Sequence, residues 1–91
     1  MPEITRFYGI VIKMYFRSGE HEPSHIHAIY GEYMGEFNIL TGEMIVGDLP
    51  QKAQNMVCEW IGVHRDELQT MWETEKIKSL PPLVERKQYV P

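Results

Sequence analysis

An apolar stripe in the second half of the chain constrains the fold more than any other feature. Its side chains recur at steps of three and four residues over about five and a half helical turns, which is the pattern of one amphipathic helix. The members of the stripe are Ala53, Met56, Val57, Trp60, Ile61, His64, Leu68, Met71 and Trp72. Pro50 suits the first turn of this helix, and Ser79, Leu80, Pro81 and Pro82 predict its end. A helix with one apolar face needs a second layer to pack on, and a sheet is the simplest layer.

Alternating apolar residues and turn signals predict that sheet in the first half of the chain. The four predicted strands cover residues 4–16, 24–30, 33–40 and 43–46. Gly31 and Glu32 mark one tight turn, and Thr41 and Gly42 mark another, so the last three strands form a meander. The predicted fold class is therefore α+β, with a four-stranded, mostly antiparallel sheet covered on one face by one long C-terminal helix.

Length and composition narrow the class of protein. A chain of 91 residues has the size of one domain, and we predict that domain over residues 1–78 with a C-terminal tail over residues 79–91. The single cysteine, Cys58, excludes an intrachain disulfide and fits a reducing compartment. The net charge of −4 excludes a surface that is cationic throughout for nucleic-acid binding. The sequence shows neither a secretory leader nor an apolar run near the ~20 residues of a membrane span, so we expect a cytoplasmic protein with no membrane partner.

Three of the four histidines, His21, His25 and His27, lie in one short segment. Residues two apart point to the same side of a strand, so His25 and His27 share one face. The residues that alternate with them are more apolar and are expected to face the helix. The two histidines are then expected on the opposite, more open face, with His21 and Glu22 in the loop that precedes them.

Four interpretations of these histidines stay open. In the first, they are partly buried polar residues that fix the loop. In the second, they bind a metal ion, because a His-x-His pair on a strand can chelate zinc, nickel or iron, with His21, Glu22 or His64 completing the ligands. The letters His-Glu-x-x-His also occur here, but Pro23 opposes the helix that this motif needs. The metal ligands expected on this interpretation are His21, His25 and His27.

The third interpretation is metal-free acid–base catalysis. Histidine titrates near neutrality, so one imidazole can take a proton from a ribose 2′-hydroxyl while another gives one to the leaving 5′-oxygen. An arginine such as Arg6, Arg17 or Arg65 would stabilise the charge that develops on the phosphate. The catalytic residues predicted for such a ribonuclease are His25, His27, His21, Arg6 and Arg17. In the fourth interpretation, the histidines lie at the centre of a surface that binds a protein partner.

Several stretches of the chain resemble one protein family. The chain is similar to the bacterial family of unknown function called DUF4160, and the similarity covers nearly the whole chain. The residues that carry it are 4–16, 21–28, Trp60 and 64–68. Ser24 stands where the family often has a second proline, which leaves the histidines in place. The resemblance implies a small bacterial protein encoded beside a member of a second small family, DUF2442, in a toxin–antitoxin arrangement.

The first hypothesis for function combines the histidines with this resemblance. The chain is expected to be the toxin component of a bacterial type II toxin–antitoxin-like module, with a small antitoxin-like protein of the DUF2442 type as its partner. His25 and His27 would catalyse the cleavage of RNA without a metal ion. The alternatives are a non-enzymatic protein-binding module and a domain that binds a divalent metal ion, and a homo-oligomer is compatible with each.

Overall fold

The computed structural model describes residues 3–16 and 23–84. Within these residues the chain forms five β-strands followed by one α-helix. The elements are β1 (Glu3–Phe7), β2 (Ile10–Lys13), β3 (His25–Tyr30), β4 (Tyr33–Asn38), β5 (Met44–Gly47) and α1 (Gln51–Thr74). Arg17, His21 and Glu22, three residues of the predicted site, lie outside the described residues.

The strands form one antiparallel sheet in the order β1-β2-β3-β4-β5. In the described part of the chain this is one strand more than predicted, because a turn divides the predicted first strand. Tyr8 and Gly9 form that turn with φ values of 49° and 82°, and Phe7 pairs with Ile10 across it. Positive φ at both positions of a two-residue loop matches the twist of paired antiparallel strands. Tyrosine is uncommon at positive φ, so of the two residues of this turn Gly9 alone had the sequence preference of a turn residue.

The helix α1 begins after Pro50, as predicted, but it ends earlier than predicted. Its last residue is Thr74, and Glu75 follows in the left-handed conformation with a φ of 59°. A left-handed residue at this position is a common way to end a helix. Beyond it the chain returns to the sheet, where the Leu80 amide donates a hydrogen bond to the Ile4 carbonyl at 3.3 Å. The prediction that the prolines end the helix is therefore wrong, because the chain has already left the helix before them.

The hydrophobic core lies between α1 and one face of the sheet. The buried helix residues are Ala53, Val57, Trp60, Ile61, Leu68 and Met71. The sheet contributes buried side chains from four strands, among them Ile4, Ile10, Ile12, Ile26, Ala28 and Phe37. This arrangement confirms the α+β fold class, with the meander and one helix on one side of the sheet.

Part of the predicted tail lies against this core. The Trp60 indole N–H donates a hydrogen bond to the Pro81 carbonyl at 2.8 Å, and Leu80 is buried. The domain boundary at residue 78 stays a prediction, and residues 85–91 lie outside the described part of the chain. Within residues 3–16 and 23–84, the structure contains no helix with the length and apolarity that a membrane span requires.

Candidate functional site

The face of the sheet opposite α1 carries the candidate site, and we call it the open face. The register of the strands fixes its residues, because cross-strand partners and residues two apart point to the same side. The core side chains of α1 pack on the other face, but the last turn of α1 also reaches the edge of this face, where Trp72 contacts His25. The side chains assigned to the open face are Glu3, Arg6, Val11, Lys13, His25, His27, Ile29, Met34, Glu36, Asn38 and Val46.

Two histidines and one glutamate form a cluster on the open face. The register places Glu36 of β4 directly opposite His27 of β3. The His27 Nε2 atom lies 3.3 Å from Glu36 Oε2, and the His25 Nε2 atom lies 4.0 Å from Glu36 Oε1. The centroids of the two imidazole rings are 5.3 Å apart, with an interplanar angle of 66°. Both Nε2 atoms therefore face the same carboxylate.

A hydrogen bond to the backbone sets the orientation of the His25 ring. Its Nδ1 atom lies 3.0 Å from the Pro23 carbonyl oxygen. Because a carbonyl oxygen can only accept, Nδ1 carries the proton and donates, and a neutral His25 then has its lone pair on Nε2. The neighbouring Ser24 hydroxyl donates to Gln69 Oε1 of α1 at 2.8 Å, which ties this end of β3 to the helix.

Aromatic side chains enclose the two imidazole rings. Tyr15 contacts His27 nearly edge-on at 4.8 Å, and Trp72 contacts His25 at 4.9 Å, both measured between ring centroids. The exposed fractions of His25 and His27 are only 3% and 6%. The register confirms the face predicted for these histidines. The expectation that they are open to solvent is wrong, because the two aromatic rings and Glu36 lie against them.

Arg6 shares the open face but does not join the cluster. It lies on β1, two strands from β3, and its guanidinium donates to both carboxylate oxygens of Glu3 at 2.8 and 2.9 Å. The hydrogen bond from Arg6 lowers the pKa of Glu3 below its usual value, and the same bond raises the pKa of Arg6. Arg6 is therefore engaged with its own strand and not with the histidines.

Arg65 and His64 lie on α1, on the other side of the sheet. The Arg65 Nε atom donates a hydrogen bond to the Ile39 carbonyl at 2.9 Å. The His64 ring packs on Trp60 at 5.0 Å, and its Nδ1 atom lies 3.2 Å from Glu67 Oε1. His64 also has non-helical dihedral angles, which makes a kink in α1. Neither residue contacts the cluster.

Glu36 is the member of the cluster that was absent from the sequence-based set. The predicted tight turn at Gly31 and Glu32 contained the information that identifies it. A two-residue turn makes Tyr30 and Tyr33 partners. Three residues away from the turn on each strand, His27 of β3 lies opposite Glu36 of β4. Among the described residues, the group that could hold a metal ion is thus His25, His27 and Glu36.

Apolar side chains occupy the other half of the open face, and we call them the apolar patch. Its members are Val11, Ile29, Met34 and Val46. Val11 pairs with Ile29, and Ile29 pairs with Met34, so these three side chains cross three adjacent strands in one row. Val46 of β5 lies diagonal to Met34, within reach of a long side chain. Met34 and Val46 are 49% and 56% exposed, which is high for apolar residues on a strand.

One cavity among the described residues lies away from the cluster. It has a volume of about 690 Å³ and lies between the start of α1, the turn after β1 and the segment around Leu83. Tyr8, Tyr30, Lys52 and Met56 are among its lining residues. No predicted catalytic or metal-binding residue lines it.

One comparison with known proteins identifies a family. The model of the family described as a domain of unknown function, DUF4160, matches residues 9–73, which is more than half of the chain. The chain belongs to the DUF4160 family. The matched residues contain the histidine segment, all of β2 to β5 and nearly all of α1, so the cluster and the apolar patch both belong to the DUF4160 domain. The chain matches no curated protein and no solved structure.

Proposed function

We propose that this DUF4160 chain is one component of a bacterial two-protein module of the toxin–antitoxin type, and that it binds its partner through the open face. The apolar patch is the observation that carries this proposal. An antiparallel sheet with one covered face ordinarily presents polar side chains on the other. Half-exposed Met34 and Val46 beside Val11 and Ile29 are instead the side chains expected at the centre of a protein interface.

The surroundings of the apolar patch have the polarity of an interface rim. Arg6 borders the patch on the β1 side, since it pairs with Val11. Glu36 borders it on the β4 side, next to Val46. Charged side chains around an apolar centre are typical of specific interfaces between proteins. The partner implied by the family resemblance is a small antitoxin-like protein of the DUF2442 type, and it is the one that we propose.

A matched pair of substitutions tests the surface. Val46→Glu places a carboxylate in the apolar patch, while Val63→Glu makes the same change on α1, where Val63 is 68% exposed and away from the open face. We expect Val46→Glu to weaken binding of the DUF2442 partner by about tenfold or more, as burial of an unpaired charge in an interface does, and Val63→Glu to change it by less than about twofold.

The measurement is calorimetric titration of the co-expressed and separated proteins, with circular dichroism to confirm that both variants fold. Equal affinities of the two variants would show that the partner does not use the apolar patch. If the folded wild-type chain and the DUF2442 protein form no complex, the proposed partner is wrong.

A metal-independent ribonuclease activity is the second candidate function. The contact between the His25 and His27 rings supports it, because two imidazoles at this separation can act as a general acid and a general base on one phosphodiester. Arg6 is held by Glu3, so Lys13, which pairs with His27 in the sheet, is the better placed cation for the phosphate. The burial of the rings requires Tyr15 or Trp72 to move before RNA can reach them.

The ribonuclease candidate predicts RNA cleavage in EDTA by the partner-free chain. His27→Ala should abolish that cleavage, and His64→Ala should leave it unchanged because His64 does not contact the cluster. The assay follows a fluorogenic RNA after removal of contaminating nuclease. Equal cleavage by the wild type and His27→Ala would end this interpretation.

A further inference from the structure

We propose that His25, His27 and Glu36 bind one divalent transition-metal ion of the zinc class. The proposal does not depend on the partner-binding function, because it rests on the histidines and not on the apolar patch, although Glu36 also borders that patch. One potential ligand atom from each of the three side chains lies within 4.8 Å of the other two. The ligand set also differs from the one expected from sequence, since a glutamate on the next strand takes the place of His21.

The separations between the ligand atoms are close to those of a metal centre. Bonds of about 2.0–2.1 Å to a tetrahedral ion separate neighbouring ligand atoms by roughly 3.3 Å. His27 Nε2 and Glu36 Oε2 already lie 3.3 Å apart, and His25 Nε2 lies 4.0 Å from the other carboxylate oxygen. An approach of roughly 0.7 Å between His25 Nε2 and the Glu36 carboxylate would bring their separation to the same value.

The orientation of His25 favours a cation between it and Glu36. The hydrogen bond from Nδ1 to the Pro23 carbonyl places the lone pair of a neutral ring on Nε2, and this atom faces the carboxylate. A lone pair and a carboxylate that face each other repel, unless a proton or a metal ion lies between them. Metal-binding histidines commonly have this second hydrogen bond to a backbone carbonyl, because it fixes the ring and the tautomer.

The surroundings supply a partly closed site with one open side. Tyr15 and Trp72 cover the imidazole rings and restrict water, while the Glu36 side chain keeps 27% of its surface exposed. An ion can therefore enter from the Glu36 side of the open face.

One positive charge opposes binding at this place. Lys13 is the partner of His27 on the side away from Glu36. After the Arg6 hydrogen bond, the charges of Arg6 and Lys13 also lower the pKa of Glu3. The ammonium group of Lys13 thus acts on the Glu3 carboxylate of β1 as well as on the cluster, and its repulsion lowers the metal affinity expected there.

The donor set decides which ions are expected. Two imidazoles and one carboxylate suit Zn²⁺ and Fe²⁺, whereas Mg²⁺ and Ca²⁺ prefer oxygen ligands only. Three protein ligands also leave at least one coordination position for water or another molecule. A bound ion would occupy the Nε2 atoms that metal-free acid–base catalysis needs, so metal binding and the ribonuclease candidate exclude each other.

The test uses the full chain without an affinity tag, stripped with a chelator and titrated calorimetrically with Zn²⁺ alone. We expect one Zn²⁺ per chain, and a rise in Tm of about 10 °C or more when free Zn²⁺ is a hundredfold above Kd. The same concentration of Mg²⁺ should leave Tm unchanged. A wild-type chain that binds no stoichiometric Zn²⁺ would overturn the proposal.

Matched variants locate the site. Glu36→Gln keeps the shape of the side chain and should lower the Zn²⁺ affinity by about tenfold or more, as should His27→Gln. The controls are Glu32→Gln in the exposed turn after β3 and His64→Gln on α1, which should change the affinity by less than about twofold. Equal affinity of Glu36→Gln and Glu32→Gln would refute the assignment of the ligands.

A second readout does not depend on the stability of the ligand variants. Co²⁺ bound at the cluster should quench the fluorescence of Trp72, whose ring lies 4.9 Å from His25. Trp72→Phe should remove the quenched component and leave the emission of Trp60, which is fully buried in the core. Co²⁺ that binds the chain without quenching Trp72 would show that the ion binds elsewhere.

Discussion

Gly47 at the end of β5 is the position where the structure makes its sharpest prediction about stability. Its φ of 128° lies in a region that residues with a side chain rarely adopt. A Cβ added here would overlap the Met34 carbonyl oxygen and would lie 2.5 Å from the Cα atom of Gly35. Both contacts are with the backbone of β4, which cannot move without disturbing the pairing of β4 and β5.

The cost of Gly47→Ala has two parts. A strained backbone conformation of this kind costs of order 1–3 kcal/mol. The overlap with the backbone of β4 adds to it, so we expect the free energy of unfolding to fall by about 3 kcal/mol or more. For a domain of this size, that corresponds to a decrease in Tm of roughly 12 °C or more.

The same substitution at two further glycines distinguishes the cost of the strained backbone from the cost of the contact with β4. Gly31 has a φ of 61°, and a Cβ there meets no atom within 4 Å, so Gly31→Ala should cost only the backbone term of about 1 kcal/mol. Gly62 is in the helix with no atom within 4 Å of an added Cβ, and Gly62→Ala should stabilise the chain by about 0.5–1 kcal/mol.

Urea unfolding followed by circular dichroism measures the whole series. The expected order of stability is Gly62→Ala, wild type, Gly31→Ala, Gly47→Ala. If Gly47→Ala is no less stable than Gly31→Ala, the contact with the backbone of β4 does not exist in solution. Because Gly47 holds β5 beside β4, Gly47→Ala should also weaken partner binding at Val46 if the open face is the docking surface.

Two other predictions follow from single contacts. Arg6→Gln should raise the pKa of Glu3 toward its usual value, as followed by NMR titration of its carboxyl carbon, because the hydrogen bond from Arg6 lowers that pKa. In the wild type, the contribution of this pair to stability is present at neutral pH and is lost as the pH falls through the lowered pKa of Glu3. An unchanged pKa of Glu3 in the variant would contradict the contact. Trp60→Phe removes the hydrogen bond to Pro81 and should lower the free energy of unfolding by about 2 kcal/mol, measured in urea, and a variant as stable as the wild type would show that this bond does not stabilise the chain.

Local sequence patterns were sufficient for most of the fold. The spacing of apolar residues from Ala53 to Trp72 predicted the helix, since the side chains that face the sheet must recur with the helical period. The turn signals at Gly31 and Gly42 predicted the meander. The division of the first predicted strand was missed because Tyr8, with its positive φ, carries no sequence signal of a turn.

The candidate site was predicted only in part. Alternation along β3 correctly placed His25 and His27 on one face of the strand, opposite the core residues Ile26 and Ala28. Their burial was missed, because it depends on Tyr15 and on Trp72, which is 45 residues beyond His27 in the chain and reaches the end of β3 only in the folded protein. Arg17 and His21 lie outside the described residues, and their roles stay predictions.

The sequence by itself determined the elements of this DUF4160 chain and which side of each element is apolar, because both follow from periodicities of two and 3.6 residues along the backbone. The tertiary structure decided which polar groups meet. The turn at Gly31 and Glu32 already implies that Glu36 lies opposite His27, but the strand order and Glu3 keep Arg6 from the histidines, and Trp72 reaches His25 only when α1 packs on the sheet. Contacts between elements that are not joined by a tight turn depend on how the fold is assembled, and a pattern along one element does not contain that information.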